Sequence, residues 1–405
     1  MRFPNFPLWL PTSLCWLIAT SASTASPVSA AEAARLAAVP QAMQRFVDDQ
    51  TLAGAVTLVA RHDRILRVDP IGQADLSRGR PMKADSLFWI ASMTKPMTAV
   101  TVLMLQDEGR LSVDDPVEKH LPEFKGQWLL AESTAERRVL VRPPRPITIR
   151  NLLTHTSGLS DVPAARWDAT LAEQVVAYAR EPLRFPPGSR WEYCNPGINT
   201  LGRIVEVVSG EPFAVYLERR LLKPLGMKDT TFWPTPAQAQ RLAKSYQPKT
   251  NGVGLEETDI YFLQGGLSDR RRAPRPAGGL FSTARDVARF YQMMLNNGVW
   301  RGRRLLSPEA VAQMTRTQTG DLRTGFVDGM SFGFGFAVVK TPQGVTAMLS
   351  PGTFGHGGAY GTQSWADPTQ DLIFVLMIQR AKLPNADGSD MRRVFQQTVV
   401  DALSR

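Results

Sequence analysis

The sequence predicts an α/β protein of the α+β type, with one antiparallel sheet built from both ends of the chain. Two strand-like runs at residues 55–60 and 65–68, separated by a polar turn, are typical of a β-hairpin. Short β-rich runs bounded by Gly or Pro recur between residues 333 and 377. Between residues 147 and 293 the apolar residues instead repeat every three or four positions, which indicates helices. Strands at both ends with helices between them imply one sheet and a helical insertion.

Length and composition are those of an ordinary globular protein. The chain has 405 residues, enough for one large domain or two interleaved ones, with 43% hydrophobic and 21% charged residues. The formal net charge of +10 comes without a long basic block, and the densest run, residues 270–272, is short and flanked by proline. We therefore expect a solvated loop there and no nucleic-acid partner, although the positive charge could help attract an anionic substrate or the cell envelope.

The first thirty residues predict a secretory signal. An apolar run at residues 14–18 is followed by small residues at 28–30, where a signal peptidase would cut. We expect an exported protein, periplasmic or secreted, with no integral membrane segment after removal of residues 1–30. Because Cys15 lies inside this signal, Cys194 would be the only cysteine of the mature chain, and no intramolecular disulfide could form.

An amphipathic helix is predicted at residues 33–47, before the hairpin, and a second hairpin within residues 124–146. Between them, the stretch from Ser92 to about residue 108 predicts a helix that is apolar nearly all round, and therefore buried. Gly109 stands where a C-terminal glycine would end it. Further helices are expected near residues 171–179, 198–208, 213–222, 284–298 and 391–399, and strands at 333–339, 345–349, 361–366 and 372–377.

Ser92 and Lys95 are the first candidates for chemistry. On a helix they lie one turn apart on the same face, where a lysine can activate a hydroxyl and the helix N-terminus favours a developing alkoxide. Chance pairs with this spacing are common on solvated helices. Here the pair stands at the mouth of an apolar helix, where an exposed charge pair would be out of place, and this favours a catalytic role.

Tyr193 and Asn195 form the second candidate pair, on a loop before the helix near residue 198. A phenol near cations loses its proton more easily, so Tyr193 could serve as the base for Ser92. The alternative is a packing tyrosine next to a helix-capping asparagine.

The third candidate is the glycine-rich turn with His356, Gly358 and Ala359, whose backbone could present an N–H to an oxyanion. His356 could contact the polar end of a substrate or tune Tyr193. The alternative is a plain turn with an incidental histidine.

Two other chemistries find little support in the sequence. No Gly-x-Ser-x-Gly motif accompanies His155, so a nucleophile-elbow hydrolase is not indicated and His155 is expected to hold a loop by hydrogen bonds. With four histidines in the whole chain and one cysteine after residue 30, no zinc site is expected.

Taken in order, these motifs resemble the serine β-lactamase-like hydrolases: class C β-lactamases, their carboxylesterase relatives and D-amino-acid peptidases. The resemblance covers nearly all of the chain after residue 30. Its segments are Ser92 with Lys95, residues 152–159, Tyr193 with Asn195, and residues 223–227, 277–286 and 355–362. It implies a β-lactamase/transpeptidase-like fold, with a sandwich domain of residues 31–146 and 281–405, a helical domain of residues 147–280, the active site between them, and no metal or cofactor.

The resemblance also implies a role for each candidate. Ser92 would be the acylated nucleophile, Lys95 its charge partner, and Tyr193 the group that passes the serine proton to the leaving group. Asn195 would bind near the substrate carbonyl, and the Ser92 and Ala359 N–H groups would form the oxyanion hole.

The third motif departs from the β-lactamases. They usually carry Lys-Thr-Gly where this chain has His356, Gly357 and Gly358, so the fixed ammonium and the hydroxyl that recognise a β-lactam carboxylate are missing. We therefore expect a carboxylesterase acting on small neutral esters. The alternatives are a β-lactamase or D-amino-acid peptidase acting on cell-wall-like substrates, and a non-catalytic envelope-binding protein. The oligomeric state cannot be read from the sequence.

Overall fold

The computed structural model describes residues 30–162, 166–250 and 252–404, so the predicted signal lies outside the described residues except for its last position. The helices are α1 (Ala30–Arg35), α2 (Ala38–Asp48), α3 (Thr94–Asp107), α4 (Val117–His120), α5 (Ile149–Leu153), α6 (Leu171–Arg180), α7 (Asn195–Ser209), α8 (Phe213–Leu217), α9 (Lys223–Leu225), α10 (Pro236–Gln240), α11 (Ala284–Leu295), α12 (Pro308–Thr315) and α13 (Asp390–Leu403). The strands are β1 (Gly54–Ala60), β2 (Ile65–Asp75), β3 (Arg80–Pro81), β4 (Phe88–Trp89), β5 (Leu129–Ser133), β6 (Arg138–Val141), β7 (Ser245–Pro248), β8 (Leu255–Thr258), β9 (Phe281–Ser282), β10 (Val299–Trp300), β11 (Arg303–Arg304), β12 (Met330–Phe332), β13 (Ala337–Val339), β14 (Phe354–Gly357), β15 (Gln363–Asp367) and β16 (Leu372–Met377).

The two ends of the chain meet in an eight-stranded sheet, in the order β12-β13-β14-β15-β16-β1-β2-β3. The join is the antiparallel pair of β1 and β16, in which Val56 lies opposite Met377 and Ala60 opposite Ile373. The expectation of one antiparallel sheet assembled from both ends of the chain is therefore confirmed. The hairpin expected within residues 124–146 is also present, as β5 paired with β6.

The strand expected at residues 345–349 is wrong. Residues Gly344–Thr346 instead form a short 3-10 turn. Gly344 adopts a positive φ of 53°, and the Thr346 hydroxyl donates to the Gln343 carbonyl at 2.9 Å. Local bonds of this kind offer the backbone an alternative to a strand, and they override the apolar pattern of the segment.

The sheet is buried on both faces. One face packs against the large central core that also contains α3, α7 and α11, through Val56 and Leu58 of β1 and Val375 of β16. The other face packs against α2 and α13 through Val59 and Phe374. Because successive side chains on a strand point to opposite faces, strands β1 and β16, which are apolar apart from Thr57, contribute to both cores at once.

Helix α3 is the central helix that the sequence predicted. Every residue from 94 to 105 is buried, and Gly109, with φ 67°, follows the end of the helix as expected. A 3-10 turn at Ala91–Met93 leads into α3 and carries Ser92. The short strands β4 and β9 pair just before this turn, so the N-terminus of α3 is anchored to the segment at residue 281.

The regular elements of the segment from residue 147 to 280 are mainly helices, α5 to α10, together with the β7–β8 hairpin. Its exact limits as a domain, residues 147 and 280, remain a prediction. In the part of the chain that the structure describes, no helix is both long and apolar enough to cross a membrane.

Candidate active site

Ser92 stands at the sharp entrance to α3. The residue before it, Ala91, has a positive φ of 45°, a conformation that L-residues rarely adopt. The Thr94 hydroxyl fixes this turn, because it donates to the Ala91 carbonyl at 2.7 Å and accepts from the Leu280 N–H at 3.2 Å. Ser92 itself is only partly buried, whereas its neighbours Ala91 and Met93 are buried. The strained turn therefore presents one hydroxyl at the surface of the core.

Lys95 joins three separate parts of the chain. Its Nζ lies 3.1 Å from Ser92 Oγ, 2.8 Å from Asn195 Oδ1 and 2.6 Å from the Ala277 carbonyl oxygen. The amide and carbonyl oxygens can only accept, so two hydrogens of the amine are committed to them. The third position faces Ser92. It carries a hydrogen when the group is an ammonium and a lone pair when it is a neutral amine.

Burial makes the neutral amine accessible near pH 7. The Lys95 side chain is fully buried, and desolvation lowers its pKa to about 7, against the opposing influence of Cys194 and Asp161. At neutral pH about half of the molecules therefore present a lone pair to the Ser92 hydroxyl. The arrangement can remove the serine proton without any histidine.

Tyr193 and Asn195 are held by a buried histidine. His155 accepts from the Cys194 N–H through Nδ1 at 3.1 Å, and its carbonyl oxygen accepts from the Glu192 N–H at 2.9 Å. These two bonds flank Tyr193 and fix its backbone. His155 is thus the loop-holding residue that the sequence suggested. The helix cap of α7 is Cys194, whose Sγ accepts from Gly197 N at 3.3 Å. Asn195 is therefore free to serve Lys95 instead.

Burial, and not a nearby cation, has the largest influence on the ionisation of Tyr193. Its phenol hydrogen-bonds Ser92, and the Lys95 Nζ lies 4.6 Å from the centre of its ring. Desolvation nevertheless raises the pKa of Tyr193 well above its usual value, and the hydrogen bond to Ser92 only partly opposes this. Tyr193 is thus a protonated phenol at neutral pH. In this form the phenol has a proton to donate, and it is not the phenolate that would accept the Ser92 proton.

The glycine-rich segment passes close to the turn before Ser92. A Cβ on Gly358 would lie 2.1 Å from Thr362 Oγ1 and 2.7 Å from the Ile90 carbonyl oxygen, so only glycine fits. Among the described residues, neither the Ser92 nor the Ala359 N–H donates to a protein acceptor. Two unused backbone donors on adjoining segments are what an oxyanion hole requires.

His356, on β14, is buried beside Tyr193, with ring centres 6.1 Å apart. Its Nδ1 donates to the Gly357 carbonyl oxygen at 2.6 Å, which fixes the tautomer because a carbonyl can only accept. Burial and the nearby Lys95 lower the pKa of His356 to about 4. His356 is therefore neutral at physiological pH, and it supplies no cation to the site.

Two contributors to this site carry no sequence motif of their own. The Ala277 carbonyl binds Lys95, and its peptide is positioned by Asn199, whose Oδ1 accepts from the Ala277 N–H at 3.0 Å. Asp387 lies beside Gly357 and influences the ionisation of both Tyr193 and His356. The only sign of Asp387 in the sequence is the glycine at position 357, because a larger residue there would overlap the Asp387 carboxylate.

Within residues 30–162, 166–250 and 252–404, no cluster of three or more His, Cys, Asp or Glu side chains is placed to hold a metal ion.

The geometry belongs to a known class of enzymes. The family model described as Beta-lactamase matches residues 39–398, and the chain belongs to this family. It is 32% identical over 393 residues to Esterase EstB of Burkholderia gladioli, covering 89% of this chain and 95% of that protein. It is 28% identical over 387 residues to a putative D-alanyl-D-alanine carboxypeptidase of Escherichia coli K12, covering 87% and 85%.

A solved structure shows the same fold. EstCE1, a hydrolase with promiscuous acyltransferase activity, superposes with a TM-score of 0.75 at 26% identity and covers 92% of this chain and 99% of its own. The protein is a serine hydrolase of the beta-lactamase family, with the β-lactamase/transpeptidase fold that the motifs implied.

The low pKa of Lys95 predicts a characteristic pH profile. The amine is the active form, so kcat/KM should rise with pH, reach half its plateau near pH 7 and stay level above it. No other group in the site accounts for such a rise, because His155 and His356 have lowered pKa values, while those of Tyr193 and Cys194 are raised.

The check is a kcat/KM profile from pH 5 to 9 for the wild type and for Lys95→Arg. A guanidinium stays charged throughout this range, so the variant should lose about 10³-fold in kcat/KM. A wild-type profile that is flat between pH 6 and 8 would contradict the assignment.

Proposed function

We propose that this protein is a carboxylesterase that hydrolyses neutral esters through an acyl-enzyme on Ser92. The observation that carries the proposal is the neutral, buried His356 at the position where the related β-lactamases usually have a lysine. A charge-assisted hydrogen bond to a substrate carboxylate is worth about 1.5–3 kcal/mol, or roughly ten- to a hundred-fold in specificity. A site without that cation loses this advantage for anionic substrates only.

In the first step the Lys95 amine accepts the Ser92 proton along the 3.1 Å contact, and Ser92 Oγ attacks the ester carbonyl carbon. Asn195 and the Ala277 carbonyl hold the amine in place during the transfer. The carbonyl electrons move to the oxygen, which the Ser92 and Ala359 N–H groups stabilise as it becomes an oxyanion.

In the second step the tetrahedral intermediate collapses, the bond to the alcohol oxygen breaks, and the leaving group needs a proton. Tyr193, a protonated phenol hydrogen-bonded to Ser92, donates it and is reprotonated from the Lys95 ammonium. Water then attacks the acyl-enzyme, releases the acid and restores Ser92. This revises the expected order: Lys95 removes the serine proton, and Tyr193 passes a proton to the leaving group.

Exposed aromatic rings around the site support an apolar substrate. Phe326, 46% exposed, packs on Tyr193 with ring centres 5.0 Å apart. Tyr261 and Phe262, 55% and 48% exposed, both pack on Tyr360, the residue after Ala359. Exposed apolar surface of this kind is characteristic of ligand-binding grooves. These rings can cover the hydrocarbon part of an ester.

A second candidate, a carboxypeptidase on D-Ala-D-Ala peptides, is favoured by the likeness to the Escherichia coli protein. Its substrate ends in a carboxylate. The neutral His356 offers that group no charge, and Asp387 at the same strand end is itself a carboxylate. The electrostatics therefore favour the esterase.

The nucleophile is tested by covalent labelling. A fluorophosphonate probe should label the wild type, and peptide mapping should place the adduct on Ser92. Thr94→Ser, two residues away, keeps a hydroxyl at its own position and serves as a control that leaves Ser92 available. Labelling that persists in Ser92→Ala would reject the assignment.

Substrate class is tested by comparing kcat/KM for p-nitrophenyl butyrate, a cephalosporin and a D-Ala-D-Ala peptide with the same enzyme. We expect the ester to exceed both others by at least about tenfold, because only the anionic substrates need a cation. Ser92→Ala measures the background for all three. Were the cephalosporin hydrolysed faster than every neutral ester tried, the lactamase alternative would replace this proposal.

We also propose export, because the apolar run at residues 14–18 and the small residues at 28–30 have the pattern of a cleaved signal. Protein from a secreting host should begin near Ala31 and lie outside the cytoplasm. Replacing Ala30 with arginine should block cleavage at this site, since signal peptidase requires a small residue there. The measurement is N-terminal sequencing of the wild type and of the variant with arginine in place of Ala30. An intact Met1 on soluble, active wild-type protein would exclude cleavage.

A further inference from the structure

The carboxylate of Asp387 occupies the space that a side chain at position 357 would fill. An ideal Cβ on Gly357 would lie 1.9 Å from Asp387 Oδ1 and 2.6 Å from Gln363 Nε2. No residue larger than glycine fits there while Asp387 keeps its position. The glycine of the third motif and the distant aspartate are therefore one structural unit at the end of β14.

Hydrogen bonds hold Asp387 in this place. Its Oδ1 accepts from Gln363 Nε2 at 2.9 Å, and Gln363 is in turn fixed by the Trp365 indole N–H at 2.8 Å. The backbone N–H of Asp387 donates to Asn385 Oδ1 at 3.0 Å. The turn is thus closed by Asn385, and the Asp387 carboxylate is not needed to form it.

The second carboxylate oxygen is not committed. Asp387 is partly exposed, and its Oδ2 takes no hydrogen bond from any residue in the described parts of the chain. Arg392 is a cationic neighbour, which is buried over the Trp365 ring at 3.9 Å and donates to the Asp387 backbone carbonyl oxygen at 2.9 Å. The charge of Asp387 interacts with Arg392 and favours its charged form, but among the described residues the Asp387 carboxylate forms no salt bridge.

The negative charge of Asp387 affects the ionisation of Tyr193 and His356. Asp387, Gly357, His356 and Phe326 line the same small cavity, and Arg392 lines it as well. The Asp387 charge disfavours ionisation of Tyr193, and it favours protonation of His356 without overcoming the effect of burial. Both effects mean that a charged group bound beside Tyr193 would also interact with Asp387.

We propose that Asp387 is a specificity-determining residue, which disfavours substrates with a carboxylate near the scissile carbonyl and favours substrates with an ammonium there. The proposal rests on the esterase function above. It goes further, because the loss of a cation alone would leave neutral and cationic esters equal. A carboxylate in the site separates all three charge types, in the order cationic, neutral, anionic.

The test uses p-nitrophenyl esters of 4-ethylbenzoate, 4-(aminomethyl)benzoate and 4-carboxybenzoate, which are close in size, differ in charge and cannot cyclise onto their own ester. The variant is Asp387→Asn, which keeps an oxygen for Gln363 and room beside Gly357. The control is Asp390→Asn, which removes the same charge three residues later, from an exposed aspartate paired with Arg393 at 3.0 Å.

For Asp387→Asn, we expect the anionic-to-neutral ratio of kcat/KM to rise about tenfold and the cationic-to-neutral ratio to fall by a similar factor. For Asp390→Asn, both ratios should match the wild type. In the wild type itself, 0.5 M NaCl should reduce the difference between the three esters, and this measurement does not depend on the variant folding.

Equal ratios in Asp387→Asn and Asp390→Asn, or wild-type ratios that do not change with salt, would overturn the role of Asp387. If the neutral ester is still hydrolysed in that case, the proposed esterase function stands. A wild type that hydrolyses none of the three esters would instead reject the esterase function.

Discussion

The structure of this site depends on the burial of one lysine. A fully buried amine is costly unless its hydrogen bonds are made, and Lys95 obtains its acceptors from the turn before α3, from the first residue of α7 and from the peptide at Ala277. These three segments come together from positions nearly two hundred residues apart in the chain. Bringing them together satisfies Lys95, and the same contacts align the amine with Ser92. Fold and reactivity therefore have a common physical cause.

The same burial keeps the two histidines, the tyrosine and the cysteine around Lys95 neutral. His155 and His356 remain unprotonated and Tyr193 and Cys194 remain protonated at pH 7, because desolvation disfavours the charged form of each. Lys95 is thus the group whose charge changes near neutral pH. Its proton can move to and from Ser92 without a competing base nearby.

Much of this could be predicted from the sequence, where local spacing carries the information. The one-turn separation of Ser92 and Lys95, the continuous apolar run of α3 and the terminal Gly109 are local features, and the structure contains all three. The features that could not be predicted depend on contacts between residues that are far apart in the chain. A backbone carbonyl such as that of Ala277 has no residue signature, and the raised pKa of Tyr193 follows from packing that no pattern shows.

Asp387 illustrates the limit most clearly. It lies thirty residues after Gly357 in the chain, and the only trace of their contact in the sequence is a glycine where a related enzyme has a side chain. Ser92 is placed by the turn that leads into α3, and Lys95 by the buried first turn of α3, where a substitution disturbs many contacts. The strand end at residue 357 and the loop before α13 lie at the margin, where a charge can be exchanged while the core stays intact. Specificity in this fold can therefore change separately from the acylation chemistry, because different elements carry the two.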